Sequence, residues 1–311
     1  MAGRTMTRAV RLAGRASPLS HWQLDAAADA LRRVGVEVET VVLDTSGDQD
    51  LQTAIDDLPS TGPFVDTLEA ALLRGEIDAA MHSLKDLPVV PTASLTLAAM
   101  LPRGPVAEAV VSRDGRPLDA WPAGSRIGTC AARRRLQVAW DRPDLRCESI
   151  RGPVDARVRQ VTAGTFDAAI LAVAGLARLG LTHVIAETLP LDRFLPAPGQ
   201  GAIVVQTRSD DALASAIARA DDAATRVATE LERAVQQALE CPDWVVAAYA
   251  EVAGELLTIH ARVLSRHTRH RVDARSRGRD AASVLSDVLA DLGAGMRTAT
   301  THRTPTPEVA R

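Results

Sequence analysis

The sequence has very little lysine and few aromatic residues. Lys85 is the only lysine among the 36 lysine and arginine residues. Aromatic residues make up 3% of the chain, which argues against a stacking surface for single-stranded nucleic acid. A net charge of −3 gives no bulk attraction to nucleic acid or to an anionic membrane. We therefore expect neither nucleic acid nor a membrane as a partner, and we expect a small-molecule substrate.

Cysteine and long apolar runs are also scarce. The three cysteines, Cys130, Cys147 and Cys241, are odd in number and lack paired spacing, which argues against a disulfide framework. The first residues contain no apolar core of signal-peptide length, and no window approaches the length of a membrane span. These observations predict a cytoplasmic protein, which we expect to be a monomer.

The pattern that is present predicts an α/β fold. A length of 311 residues with 46% hydrophobic content suits two or three globular domains. A short strand at 10–13 precedes an amphipathic helix at 21–33 and a second strand at 38–43, and a further helix begins at Asp66 with an acidic first turn. This alternation predicts a sheet with ligands at the carboxyl ends of its strands.

The later segments predict two more units. Residues 102–105 read as a hinge, and the apolar run 167–174 reads as a strand buried on both faces. The run 195–201 reads as a return crossover into the first unit. The predicted domains are lobe 1 (8–102 and 198–218, discontinuous), lobe 2 (103–197), a small α+β C-terminal domain (223–296) and a disordered tail (298–311).

Several arginines follow a predicted strand or open a predicted helix. Helix N-termini favour anions, and arginine binds a carboxylate through two parallel hydrogen bonds. The tight entry at Gly128-Thr129 leaves backbone amides for an acid group. The alternative is that arginine-rich helices are simply solvated, which we accept for Arg135 and Arg159. For the others we predict a ligand with many carboxylates between two domains; they are Arg15, Arg133, Arg134, Arg151, Arg157 and Arg178.

Seven stretches together resemble one enzyme family. They are RLAGRASPLSHWQ (11–23), LEAALLRGEIDAAMHSLKDLP (68–88), GTCAARRRLQ (128–137), SIRGPVDARV (149–158), FDAAILAVAGLARLG (166–180), LPAPGQGA (195–202) and LER (231–233). The combination of HSLKDLP, AVAGLARLG and PGQGA is specific, and the stretches extend over nearly the whole chain. On these motifs the chain resembles the hydroxymethylbilane synthase family, also named porphobilinogen deaminase.

The resemblance implies three α/β domains, of which the first two resemble the lobes of a periplasmic binding protein with the active cleft between them. It implies a transferase of tetrapyrrole (porphyrin) biosynthesis that condenses four porphobilinogen units head to tail and releases ammonia each time. It also implies a dipyrromethane cofactor, which a cysteine of the third domain holds through a thioether. No metal is implied.

Carried over by position, Asp86 is the catalytic carboxylate of the family. Its negative charge would stabilise the cationic methylene-pyrrole intermediate, and it would manage protons at the pyrrole nitrogen and the departing amine. The residues implied to hold the acetate and propionate groups of cofactor and substrate are Arg15, Ser17, Lys85, Thr129, Arg133, Arg134, Arg151, Arg157, Arg178 and Gln200.

The cofactor-attachment motif departs from the family pattern. The family reads Leu-x-Gly-Gly-Cys-x-x-Pro, whereas residues 239–243 here read Leu-Glu-Cys-Pro-Asp. Counted forward from Glu232, the cysteine is expected at Asp243, and counted back from Tyr249 it is expected at Pro242. Cys241 is therefore the candidate for attachment, although it stands one or two positions early and both glycines are replaced.

Three functions are compatible with this pattern. The first is a hydroxymethylbilane synthase whose thioether forms on Cys241. The second is a divergent paralogue that binds or acts on pyrrole carboxylates without the usual cofactor attachment, in a specialised pathway. The third is a non-catalytic binding protein for a polycarboxylate, which fold analogy alone permits. Retention of Asp86 argues against the third, because an anion-binding cleft does not need a carboxylate.

Overall fold

The computed structural model describes residues 8–45 and 64–301. Its strands are β1 (Val10–Arg15), β2 (Val38–Leu43), β3 (Ala79–Ser83), β4 (Leu95–Met100), β5 (Glu108–Ser112), β6 (Arg126–Gly128), β7 (Arg146–Glu148), β8 (Ala168–Ala172), β9 (Ile185–Leu189), β10 (Ile203–Arg208), β11 (Trp244–Ala253), β12 (Leu256–Ser265) and β13 (Arg271–Gly278). Its α-helices are α1 (Pro18–Arg33), α2 (Asp66–Leu73), α3 (Ala132–Asp141), α4 (Val154–Thr162), α5 (Val173–Arg178), α6 (Leu213–Ile217), α7 (Ala223–Ala238) and α8 (Ala281–Thr301). None of the described helices is long and apolar enough to cross a membrane.

Two five-stranded sheets share the same plan. The first has the order β2-β1-β3-β10-β4, and the second has the order β7-β6-β8-β5-β9. In each sheet the first three strands run parallel, and the fourth strand is antiparallel to both of its neighbours. Because β10 follows the whole second sheet in sequence, the chain leaves the first sheet after β4 and returns to it. Two segments therefore connect the sheets, at 101–107 and 190–202.

Each sheet is covered by helices that bury its apolar residues. Helix α1 places Leu24, Ala27, Ala28 and Leu31 against β1, β3 and β10. In the second sheet, alternate residues of β5 and β8 belong to two separate core clusters, one on each face. A strand with buried residues on both faces is continuously apolar, as β8 is with the sequence AAILA. The mixed α/β class predicted from the sequence is confirmed.

A three-stranded antiparallel sheet, β11-β12-β13, forms the third unit. Helices α7 and α8 pack on one face through residues such as Val235, Val288 and Leu292. Helix α7 also joins this unit to the other two, because the fully buried Glu232 accepts hydrogen bonds from Arg103, Gly199 N and Ala250 N.

Several elements differ from the prediction. The apolar run predicted as a strand over 167–174 is a strand only to Ala172 and then becomes helix α5, because an apolar run does not by itself distinguish a strand from a buried helix. Helix α1 begins at Pro18 rather than 21, since Ser17 caps it by accepting a hydrogen bond from Ser20 N. Strands β4, β9 and β13 were not predicted. The tail predicted as disordered from 298 begins as the end of α8, and residues 302–311 lie outside the described residues.

Candidate active site

The HSLKDLP segment forms the end of β3 and one tight turn of 3₁₀ helix, Leu84–Asp86. Leu84 is fully buried, and its backbone N–H donates to Ala202 O at 3.1 Å. Beyond that anchor Lys85 is exposed and Asp86 is half-buried, so neither side chain enters the core.

The return crossover packs directly on this turn. Gly199 has φ +75° and lies so close that a Cβ there would stand 2.8 Å from Leu84 Cγ. Gly201 has φ +87°, and a Cβ there would stand 2.6 Å from Gly104 O. Only glycine combines this backbone conformation with such contacts. The close packing brings Gln200 Oε1 to 3.1 Å from Lys85 Nζ, from which it accepts a hydrogen bond.

Two neighbouring cavities open beside the turn. The larger, about 520 Å³, has four cationic side chains in its wall: Lys85, Arg134, Arg157 and Arg178. Gln200 also lines it, and none of its described lining residues is acidic. We refer to it as the cationic cavity. A wall of this charge favours a ligand with several negative groups.

The second cavity, about 390 Å³, contains Asp86 together with Arg15 and the hydroxyl groups of Ser17, Ser20 and Ser83. We refer to it as the Asp86 cavity. The Arg15 guanidinium lies 4.1 Å from the centre of the Phe64 ring, which also lines this space. His82 lines it too, and burial lowers the pKa of its imidazole to about 4, so the ring is neutral near pH 7.

The wall shared by the two cavities includes a hydrogen-bonded pair. Gln23 and Ser83 line both spaces, and Gln23 Nε2 donates to Ser83 Oγ at 2.9 Å. Consecutive residues of one turn thus face different compartments, Lys85 the cationic cavity and Asp86 its neighbour.

Two of the cavity cations have lowered pKa values. The surrounding protein, and next the guanidinium of Arg134, lower the pKa of the Lys85 ammonium to about 8. The Lys85 side chain is nevertheless exposed to solvent, because the cleft that surrounds it is open. Burial lowers the pKa of Arg178 to about 10; this side chain donates to Gly201 O at 2.6 Å and lies over the Trp22 ring. An anionic ligand would therefore stabilise the charged form of both groups.

Glu108 holds the two adjacent arginines of α3. It is fully buried and pairs with Arg133 through one oxygen and with Arg134, at 2.8 Å, through the other. Burial alone would raise the pKa of Glu108, but the two guanidinium groups, Arg134 foremost, lower it to about 2. Of the pair, Arg134 reaches the cationic cavity, whereas Arg133 does not line it.

Some predicted site residues lie outside both cavities. The Thr129 side chain is buried, and its Oγ1 accepts a hydrogen bond from Ala131 N. Arg151 is half-buried and lines neither cavity. Cys241 is half-buried in the loop before β11, where its carbonyl accepts from Trp244 N, and it also lines neither cavity. The ligand roles of Thr129, Arg133 and Arg151, and attachment at Cys241, stay predictions.

The sequence reasoning missed the residues that support the site. Glu108 is the first residue of a mostly apolar strand. Nothing in the sequence marks this acidic residue as the partner of Arg133 and Arg134 on α3. Gln23 lies at the end of the RLAGRASPLSHWQ motif, and its contact with Ser83, 60 positions away, depends on the packing of α1 on β3.

The two linked α/β sheets and the cation-lined cleft define a two-lobed α/β protein whose cleft suits a ligand with several carboxylates. Residues 10–216 match the family model described as porphobilinogen deaminase, dipyrromethane cofactor binding domain. Porphobilinogen deaminase of Xanthomonas campestris is 41% identical over 287 residues, covering 91% of this chain and 94% of that protein. The Stenotrophomonas maltophilia protein of the same name is 41% identical over 295 residues, covering 92% and 97%. The chain belongs to the porphobilinogen deaminase family.

A solved structure of the methionine binding protein MetQ also aligns, with a TM-score of 0.45 and 14% identity over 68% of this chain and 89% of that one.

The described residues fit the carboxylates of a dipyrromethane. Lys85, Arg134, Arg157 and Arg178 supply more positive charge to one cavity than Glu108 neutralises. A group that carries several acetate and propionate side chains would balance this excess.

Proposed function

We propose that this chain is a hydroxymethylbilane synthase, a transferase that condenses four porphobilinogen units head to tail into a linear tetrapyrrole and releases one ammonia per unit. Its substrate is then a small pyrrole. We also propose that the protein is cytoplasmic and acts as a monomer. Family membership supports the reaction.

The observation that carries the proposal is the division of charge between the two cavities. The cationic cavity has four positive side chains, whereas the neighbouring space combines Asp86 with Arg15 and three serines. A carboxylate-rich pyrrole chain suits the first space. A single unit whose carboxylates face Arg15 and whose reacting ring faces Asp86 suits the second. Gln23 and Ser83 lie between them, where the two rings would be joined.

Asp86 has the chemistry that this reaction requires. When the C–N bond of the protonated aminomethyl group breaks, ammonia leaves with the bonding electrons, and the positive charge passes to the methylene and the pyrrole nitrogen. A carboxylate in a partly enclosed cavity stabilises that charge and accepts a hydrogen bond from the ring N–H. The free carbon of the second pyrrole then forms the C–C bond, and its proton is lost to restore the aromatic ring.

The cationic residues hold carboxylates in this scheme. Lys85, Arg134, Arg157 and Arg178 would orient the dipyrromethane and the growing chain, and Gln200 would keep Lys85 in place. The dipyrromethane supplies the free pyrrole carbon to which the first unit is joined. His82 is neutral and does not add to the positive charge beside Asp86.

The test combines turnover with intact mass. The purified protein is incubated with porphobilinogen, and ammonia release and protein mass are followed. We expect ammonia release, a mass increase corresponding to bound pyrrole units, and a colour reaction with an aldehyde reagent for pyrroles. Asp86→Asn should abolish ammonia release and retain porphobilinogen binding.

Peptide mapping then locates the attachment. A pyrrole adduct that Cys241→Ser removes would support thioether formation at this cysteine. An unmodified protein that releases no ammonia, even when supplied with preformed tetrapyrrole, would refute the synthase and favour the divergent paralogue. Full turnover by Asp86→Asn would refute the role of Asp86.

A further inference from the structure

We propose that Arg262 of the third domain is a positioning residue for the cleft. Through Gln137 and the Leu195 carbonyl, it holds Arg133 and hence the Glu108-linked Arg134 where a carboxylate of the pyrrole chain binds. The inference rests on the proposed function, because it assumes that the cationic cavity binds pyrrole carboxylates.

Arg262 lies on β12 and is the largest fully buried side chain among the described residues. Its Nε donates to Asp273 on the neighbouring strand, at 2.7 Å. Its other partners belong to the second lobe. Nη2 donates to Asp192 O at 2.7 Å, and Nη1 donates to Arg193 O and to Gln137 Oε1, both at 2.8 Å. One side chain of the third domain thus donates to three acceptors of another domain, of which Gln137 Oε1 is buried.

Gln137, on α3, connects Arg262 to Leu195 through hydrogen bonds. Its Oε1 accepts from Leu195 N at 2.8 Å as well as from Arg262, and its Nε2 donates to Leu195 O at 3.1 Å. Both Gln137 and Leu195 are buried. The amide of Gln137 therefore has a fixed orientation, and Leu195, the start of the return crossover, is fixed by it.

The Leu195 carbonyl is shared with Arg133. Arg133 Nη1 donates to it at 2.6 Å, and Arg133 Nη2 pairs with Glu108. Glu108 pairs through its second oxygen with Arg134, which lines the cationic cavity. The chain of contacts from Arg262 to the cavity is continuous and consists of buried groups.

Because of these contacts, we expect binding of pyrrole carboxylates in the cationic cavity to depend on Arg262. Loss of its guanidinium would remove the donor to the Asp192 and Arg193 carbonyls, and water or a shifted backbone would have to satisfy them. Asp273 would keep its hydrogen bond from Arg271. Segment 192–195 would then move relative to α3. A displacement of a binding group by even ~1 Å lowers the rate of an oriented reaction substantially.

The experiment compares Arg262→Leu with Arg275→Leu, an exposed arginine on the adjacent strand of the same sheet. Equilibrium binding of preformed tetrapyrrole, the kind of chain that the cationic cavity is proposed to hold, and steady-state kinetics are measured for both. Mutations along such networks change coupling by roughly 0.5–2 kcal/mol, which is a factor of about 2 to 30. We expect Arg262→Leu to weaken tetrapyrrole binding by about tenfold, within that range. Arg262→Lys should recover part of the affinity, and Arg275→Leu should match the wild type.

Binding separates this inference from the proposed function. Weaker tetrapyrrole binding by Arg262→Leu supports positioning even if no variant releases ammonia, an outcome that would instead refute the synthase. Wild-type affinity for tetrapyrrole in a folded but less stable Arg262→Leu would show that Arg262 is only structural and would overturn the inference. If Arg262→Leu does not fold, Arg262→Lys decides the question, because wild-type affinity there would overturn it equally.

Discussion

Glu108 offers the sharpest test of how the site is built. This fully buried carboxylate is the anion between Arg133 and Arg134, so Glu108→Gln replaces it with a neutral group of similar shape. The lowering of its pKa from an ordinary 4.5 to about 2 corresponds to about 3 kcal/mol of stabilisation at neutral pH. Removal of one partner from a buried ion pair typically costs about 3–5 kcal/mol, which agrees.

The assay is denaturant unfolding followed by circular dichroism. Glu108→Gln should lower the free energy of unfolding at pH 7 by about 3 kcal/mol. Because the folded-state pKa is lowered, the stabilisation is present above the ordinary value of 4.5 and is lost as the pH falls through 4.5 toward about 2. The wild type should therefore lose its advantage over the variant across that range.

A matched control is Glu230→Gln, which removes an exposed carboxylate paired with Arg226 across one helical turn. Exposed pairs of this kind contribute about 0.3–0.5 kcal/mol. If Glu108→Gln destabilised the protein no more than Glu230→Gln, or if the difference between wild type and Glu108→Gln did not depend on pH, the account of Glu108 as a charged clamp would be wrong.

Two further predictions concern Lys85 and the return crossover that packs beside it. The Lys85 ammonium, with a pKa of about 8, should lose its charge as pH rises, so binding of preformed tetrapyrrole measured by calorimetry should weaken as the pH rises above about 8. Lys85→Met should remove that dependence and cost about 1.5–3 kcal/mol of binding at neutral pH; an unchanged pH profile would contradict the assignment. Gly201→Ala should destabilise the protein by more than about 3 kcal/mol, since its Cβ would stand 2.6 Å from Gly104 O in addition to the strain of positive φ. Gly180→Ala has positive φ with nothing within 4 Å and should cost only about 1–2 kcal/mol in the same denaturation assay; equal losses in the two variants would refute the close packing of the crossover.

Much of the architecture could be predicted because it depends on local pattern. The alternation of apolar strands with amphipathic helices predicted the α/β class, and the bounds of β2 agree with those predicted. The missed strands have weaker patterns. Strand β13 carries four charged residues in eight and lies at the edge of its sheet, where only one side needs a partner strand. Its position depends on β12, which no local pattern encodes.

For the site, the sequence by itself determined the chemical groups. The single lysine beside Asp86, the arginines after strands and the PGQGA run all indicated an anion-binding cleft, and motif order alone was enough to indicate the family. These features are local, since each depends on residue type and on neighbours along the chain.

Only the tertiary structure decided which cavity or partner each of those groups contacts. It places Lys85 and Asp86 in different cavities, commits Arg133 to Glu108 and the Leu195 carbonyl, and connects Arg262 to the cleft across a domain boundary. An arginine in a sequence is equally suited to a ligand, a buried carboxylate or a backbone carbonyl. The choice among them depends on which acceptor the fold brings within hydrogen-bond distance, and those acceptors lie 25 to 125 positions away.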